Sequence, residues 1–591
     1  LIHPTLGTAP SRGEDKRSAS AERVAMIDPT ARDAQLRAWG YQPEAATGCW
    51  VPTAHRAAFG YSDGDAVEAR LLAWVRSVAD RRVLSEELRA GITDWPSRYH
   101  LSPLRANLLR PLAGWLTGKT VLEIGAGGGA LTRYLGELGV PVVALEGSPR
   151  RAAIAAARCA DLANVAVIAD SFQHFAPAAR FDVITLVGVL EYARLFYPAA
   201  PGIDPVAALL AGARALLKPG GVLLLAIENQ LGLKYFAGSR EDHVAVPMHG
   251  IEDRYRADGV VTFGRAELGD RLDAAGLPAR AWWYPFPDYK LPVSVLSEAA
   301  VSGRHGLDLA PLPMGSVVAD PQVPPHWNFS LEQAWRVIFR NRLAGELANS
   351  FLVVAGAAAA DLPAADVLVH HYAVDRRPAF AKAVTIRAAG DRIAVTSARL
   401  APDAAAPALP LRPHLHEAGF APGELWHGRL LQHLNQPGWT PAAIAAWART
   451  WLGHLAQRAG VARLEWHTRL DGRLVDAVPR NLMVAGARGE FIDLEWELTD
   501  GVGFDHLFYR GLMLSLLGTA SCAEPAPGQP IDMASLLIAV AEACGYQVGP
   551  GDLAACHAAE RQFQHWVHGG AWIGFAELAY HRMPVRTGPS A

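Results

Sequence analysis

Long apolar runs are missing from this chain. No segment approaches the ~20 residues that a bilayer-spanning helix needs, and the apolar stretch from Phe351 to Ala360 stops at Asp361. Cysteine is scarce: Cys49, Cys159, Cys522, Cys544 and Cys556 are scattered, odd in number and without paired metal-ligand spacing. That pattern argues against a disulfide framework or a zinc module and implies free thiols in a reducing cytoplasm. Neither sign of charge is in excess. With a formal charge of -3 and no Lys/Arg block, no long-range field favours nucleic acid. Residues 1–22 are polar and turn-prone with no apolar signal-peptide core, and are expected to be a disordered extension at the chain edge. What remains is globular in balance, 51% hydrophobic and 19% charged, and at 591 residues too long for one core, so two or three domains are expected.

The most informative stretch runs from Val121 to Leu135, VLEIGAGGGALTRYL. A short apolar strand carries Glu123, and a turn follows in which Gly125, Gly127 and Gly129 remove side chains where the backbone must bend and approach a ligand. Leu131, Leu135 and Leu138 then recur at helical spacing. A carboxylate ahead of the turn does not suit a phosphate; it suits a ligand that carries positive charge. A second apolar run ends in Glu146, about 20 residues past the glycines, where an acid can bind ribose hydroxyls. A third ends in Asp170, placed to meet an adenine amino group. Phe181–Tyr192 and Val222–Ile227 supply two more strands, with helical patterns at Ala152–Cys159 and Val206–Leu217 between them. The alternation implies a parallel sheet with helices on both faces.

Taken in order, EIGAGGG, ALEGS, ADSF, FDVITLVGVLEY and LLKPGGVLLLAIEN resemble a class I S-adenosylmethionine-dependent methyltransferase. The resemblance implies a Rossmann-like domain over 101–305 that binds S-adenosylmethionine through Glu123, Gly125, Gly127, Gly129, Glu146 and Asp170. Ahead of it, 23–100 reads as a helical region, with Val67, Leu71, Val75 and Val78 at helical spacing; its Trp95–His100 cluster could line a cleft or pack as scaffold. Ligands of open parallel sheets bind beyond the carboxyl ends of strands, where Glu191, Glu228 and Asn229 fall. Methyl transfer to a hydroxyl needs a base. His243, flanked by Glu241 and Asp242, is the leading candidate, followed by Glu191 and Asp242.

Pro311, Pro313, Pro321, Pro324 and Pro325 mark 306–329 as a linker. Beyond it, Val367–Asp375 and Ala379–Ile386 read as an antiparallel hairpin with Lys382 on the second strand, and helical patterns follow from about Gly423. Asp476 and Asn481, then an apolar strand and Asp493, are parts that phosphoryl transfer requires: one acid to orient a hydroxyl, and an amide and an acid to hold magnesium. Residues 330–591 therefore resemble the kinase fold in its aminoglycoside phosphotransferase branch. That resemblance implies an α+β kinase-like domain in which Asp476 is catalytic, Lys382 contacts the phosphates of ATP, and Asn481 and Asp493 hold Mg2+. No glycine-rich loop precedes Lys382, Val475 stands where kinases carry Arg, and no glutamate partner for the lysine is evident.

The pairing of the two halves resembles bacterial methyltransferase–kinase proteins of surface-polysaccharide and O-antigen synthesis. It implies a sugar hydroxyl or sugar phosphate as acceptor, a glycan or lipid-linked oligosaccharide as partner, and a cytoplasmic location with peripheral association at the inner face of the membrane. Two other readings stay open: a small-molecule (natural-product) O-methyltransferase whose second half only shapes the acceptor cleft, and a non-catalytic assembly protein. The chain shows no sustained C-terminal heptads of the kind that recruit a polymerase.

Overall fold

The computed structural model describes residues 29–586 except 55–59, 61–63, 198–201, 325, 365, 391, 416 and 571–580, so the expected extension 1–22 lies outside the described residues. A hairpin of β1 (Tyr41–Glu44) and β2 (Cys49–Pro52) comes first. The strands β3 (Val121–Ile124), β4 (Val142–Glu146), β5 (Val165–Ala169), β6 (Phe181–Val187) and β7 (Leu217–Glu228) then pair in parallel. After them come β8 (Ala279–Phe286), β9 (Ser294–Ser297), β10 (Ser350–Gly356), β11 (Val367–Ala373), β12 (Lys382–Ala389), β13 (Arg392–Arg399), β14 (Leu411–Pro413) and β15 (Glu417–Gly419). Among the described residues, one sheet runs β1-β2-β5-β4-β3-β6-β7-β10-β8-β9-β11-β12-β13-β15. Its central strands read as near-continuous Val, Ile and Leu because helices cover both faces; Val121, Leu122, Val183, Ile184, Leu223 and Leu224 are all fully buried. The strand order reverses between β3 and β6, which opens the crevice where ligands of such sheets bind.

Three expectations are corrected. Residues 23–100 are not helical throughout. The expected helix is present as Asp65–Ser77, but β1 and β2 precede it, and β2 pairs in parallel with β5 through Trp50 and Ile168. The hairpin covers an edge that β5 would otherwise leave open. The expected linker 306–329 is not a spacer, because Leu309, Ala310, Met314 and Val317 are buried in the same core as Phe286 and Trp335. Pro311 opens the helix Pro311–Ser316, a position that tolerates proline because its missing N–H has no partner in a first turn. Nor does the first sheet end at 305. β10 lies between β7 and β8, antiparallel to both, with Leu352 opposite Ala226 and Trp283.

The second half continues the same sheet. The expected hairpin is β11 and β12, with Ala373 opposite Lys382, and β11 pairs with β9 through Val369 and Leu296. Helices Trp426–Leu434, Pro441–Ala459, Phe504–Leu517, Met533–Ala543 and Pro550–His568 enclose a separate core that includes Trp447, Trp451, Phe508, Leu512 and Leu537. β10 is therefore structural to the first half although it comes from beyond the proline-rich segment. Leu352→Ala should cost about 2–5 kcal/mol, read as a lower urea midpoint; a cost below about 1 kcal/mol would contradict this placement.

Candidate active site

The glycine turn folds back on β4: Gly125 N and Ala126 N donate to Leu145 O at 2.8 and 3.1 Å. Gly125, Gly127 and Gly129 all have positive φ, which side chains rarely tolerate. Space is also closed. A Cβ on Gly129 would come within 2.7 Å of the Ala155 Cα, and one on Gly125 within 2.5 Å of Val189. The turn thus brings bare backbone to the rim of a cleft of about 290 Å³, lined among others by Glu123, Glu146, Asp170, Glu191, Glu228 and His243. Trp95, Tyr99 and His100 line it too, on a helix whose start Asp94 and Ser97 cap reciprocally.

Each parallel strand delivers one acid to this edge. Glu146, the last residue of β4, accepts from Gly127 N at 2.7 Å and Ser148 N at 2.9 Å. Asp170, just past β5, accepts from Ser171 N and from the Tyr41 hydroxyl at 2.7 Å, so the N-terminal hairpin braces it. Glu123 on β3 accepts from Thr132 Oγ1 at 2.5 Å, its one side-chain partner among the described residues. Burial pushes the Glu123 carboxyl up to about 7, against smaller downward effects of Thr132 and Arg105.

Beyond β6 and β7 the cleft ends in a denser cluster. Glu241 holds His243: its Oε1 lies 3.0 Å from the ring Nδ1, and its Oε2 accepts from the His243 and Val244 N–H groups at 2.7 Å. The opposite nitrogen, Nε2, is 3.8 Å from Glu191 and 3.9 Å from Glu228. Burial alone would lower the ring's proton affinity, but Glu228, Glu191 and Glu241 together raise it well above the usual value. Asp242 points elsewhere, to Lys234 at 3.1 Å, Lys290 at 2.6 Å and the Tyr235 hydroxyl at 2.5 Å. Burial would raise its carboxyl, yet the two ammonium groups hold it far below the carboxylate range. A carboxylate so paired is a poor base, which corrects its expected catalytic role: it is a counter-ion to the lysines. Lys234, Tyr289 and Lys290 were not expected to meet here, because only the fold brings 234 and 290 to the end of β7.

A second polar cluster lies in the C-terminal half. Lys382 reaches Asp493 at 2.6 Å and Glu495 at 2.5 Å, and Arg376 clamps Glu495 through two bonds of 2.9 and 2.7 Å. Glu495 is thus a second acidic partner of Lys382, one that no local sequence signal announced. Asp476 accepts from Arg510 at 2.8 Å, and burial raises its carboxyl to about 6 while Arg510 opposes the shift. Asn481 donates to the Asp476 carbonyl at 3.0 Å. The structure brings Lys382 and Asp493 together, and separately Asp476 and Asn481.

Residues 98–298 match a family model described as "Methyltransferase domain". A protein named Ubiquinone biosynthesis O-methyltransferase from Serratia proteamaculans (strain 568) is 30% identical over 135 residues, covering 22% of this chain and 52% of that protein. One of the same name from Paraburkholderia xenovorans (strain LB400) is 29% identical over 188 residues, 30% of this chain and 76% of that protein. The chain spans about half the length of the first of these relatives. Among solved structures, the CcbJ methyltransferase from Streptomyces caelestis aligns at 17% identity and a TM-score of 0.27, over 47% of this chain and 100% of that one. This chain accordingly carries an S-adenosylmethionine-dependent methyltransferase domain. The residues fit that cofactor: a side-chain-free turn and the buried acids Glu123, Glu146 and Asp170 line one cleft.

Because binding a cation favours the ionised carboxylate, S-adenosylmethionine affinity should rise with pH and level off above about 7, the pKa of Glu123. At pH 6 binding should release a proton. Glu123→Gln should weaken binding and flatten this profile; calorimetry in buffers of different ionisation enthalpy reads both, and an unchanged slope in the variant would contradict the assignment.

Proposed function

We propose that this chain is an O-methyltransferase whose acceptor is a sugar hydroxyl or sugar phosphate of a bacterial surface glycan. The observation that carries oxygen as the acceptor is the cleft's far end, where Glu191 and Glu228 each keep one carboxylate oxygen without a hydrogen-bond partner among the described residues. S-adenosylmethionine supplies the electrophilic methyl group when bound. Glu191 Oε2 takes the hydroxyl proton as the acceptor O–H bond breaks, a base on the turn after β6, two residues past Val189, whose side chain lies against Gly125. Glu241 fixes the His243 ring beside it, so Nε2 orients the acceptor oxygen. The relatives' name supports oxygen rather than nitrogen. Support for a glycan comes from the sequence resemblance and from Trp95, Tyr99, Tyr192 and Phe196 along the cleft, whose faces suit a sugar ring.

The second reading, a small hydroxylated acceptor, is favoured by what the relatives' name states. Radiolabelled methyl transfer separates the two: label in lipid-linked oligosaccharide but not in small hydroxylated metabolites supports the glycan, and the reverse retires it. Glu191→Gln should lower kcat about 10²–10⁴-fold with S-adenosylmethionine affinity unchanged; full activity in the variant would refute the base assignment.

For the C-terminal half, we infer a kinase-like domain that binds Mg-ATP through Lys382, Asn481 and Asp493, with Asp476 facing the phosphoryl acceptor. The meeting of Lys382 and Asp493 across 111 residues supports it. Glycan machinery at the inner membrane face would then be met peripherally, in keeping with the lack of any described helix long and apolar enough to cross a membrane. Wild-type protein should bind ATP only with Mg2+ and lose this in Asp493→Ala; wild-type protein that neither binds nor hydrolyses ATP retires the inference.

A further inference from the structure

We propose that Glu191, Glu228 and His243 form a divalent-cation site that holds the acceptor oxygen at the end of the methyl-donor cleft. The proposal rests on the O-methyltransferase reading and deepens it. One donor atom from each residue lies within 4.8 Å of the others, and Nε2 sits 3.8 Å from Glu191 Oε1 and 3.9 Å from Glu228 Oε1. Donors about 2.1 Å from a hard divalent cation are separated by roughly 3 Å, so a modest side-chain rotation closes the set.

Three observations beyond the acidic grouping point to a ligand. Glu191 and Glu228 are 1% and 0% exposed, yet Glu191 Oε2 and Glu228 Oε2 have no partner among the described residues. A buried carboxylate oxygen without a partner is costly unless a cation completes it. Lys290 and Tyr289 engage Glu228 through Oε1, and no described lysine or arginine pairs with Glu191, so no described ammonium or guanidinium group reaches either lone oxygen. Finally, Glu241 binds the far nitrogen of His243, the arrangement that fixes the tautomer and aim of a metal-ligating imidazole.

Two carboxylates and one imidazole favour Mn2+-like cations over thiophilic ones. Three protein donors leave positions for the acceptor hydroxyl and water, and Glu191, bound through one oxygen, keeps the other for the proton. Binding requires a neutral ring, so the cation displaces the His243 proton.

The test uses the full chain stripped with chelator and titrated with Mn2+, with free Mn2+ followed by electron paramagnetic resonance and S-adenosylmethionine binding measured on the same samples. One Mn2+ per chain is expected at this site, weakened at least tenfold in His243→Ala and in Glu228→Gln but not in Asp493→Ala, with the methyl donor still bound by every variant. No Mn2+ binding by wild type, or binding that survives both substitutions, overturns the proposal while leaving the methyltransferase reading intact. Loss that appears only in Asp493→Ala assigns the ion to the C-terminal half and equally overturns it. Failure of wild type to bind S-adenosylmethionine instead strikes the reading on which the proposal rests.

Discussion

Burying a carboxylate is unfavourable unless something neutralises or hydrogen-bonds it, and this fold buries five along one sheet edge. In sheet order they are Asp170, Glu146, Glu123, Glu191 and Glu228, each 6% exposed or less. The protein satisfies them unequally. Asp170 and Glu146 receive backbone N–H groups and, for Asp170, the Tyr41 hydroxyl. Among the described residues Glu123 has one hydroxyl, and Glu191 and Glu228 each leave an oxygen unmatched. The satisfied acids are preorganised to accept neutral hydroxyl and amino groups; the unsatisfied ones create a demand for positive charge.

The edge depends on a sheet that is assembled from distant pieces. β10 returns from beyond the proline-rich segment to separate β7 from β8, and β9 hands the sheet on to β11 of the second half. Glu228 ends β7 opposite Ser350, the first residue of β10, while Ser350 Oγ accepts from Tyr289 N, next to Lys290. The end of the cleft at Glu228 is therefore held by a strand that comes from beyond the proline-rich segment.

That Glu123, the glycine turn, Glu146 and Asp170 would meet at one sheet edge was legible in the sequence because each sits at a fixed offset from an apolar run. The hairpin around Lys382 was legible for the same reason. What escaped required tertiary contacts. An apolar run such as Phe351–Ala355 announces a buried strand but not its neighbours, and prolines at 311 and 313 signal a break although Pro311 begins a helix packed into the core. The sequence cluster Glu241-Asp-His243 suggested a base beside two flanking acids; folding turns Asp242 toward the lysines and leaves Glu241 alone to hold the imidazole. Glu495 escaped because its role as partner of Lys382 is apparent only when β12 meets the segment after Phe491.

The central claim is that one cleft receives the methyl donor at β3 and β4 and directs its reactive end to the cluster beyond β6 and β7. A crystal structure with S-adenosylhomocysteine tests it most directly. The account predicts adenine beside Asp170, ribose on Glu146, the amino acid portion near Glu123, and the thioether sulfur facing Glu191, Glu228 and His243. A ligand bound outside this cleft, or one whose sulfur faces away from that cluster, would contradict it.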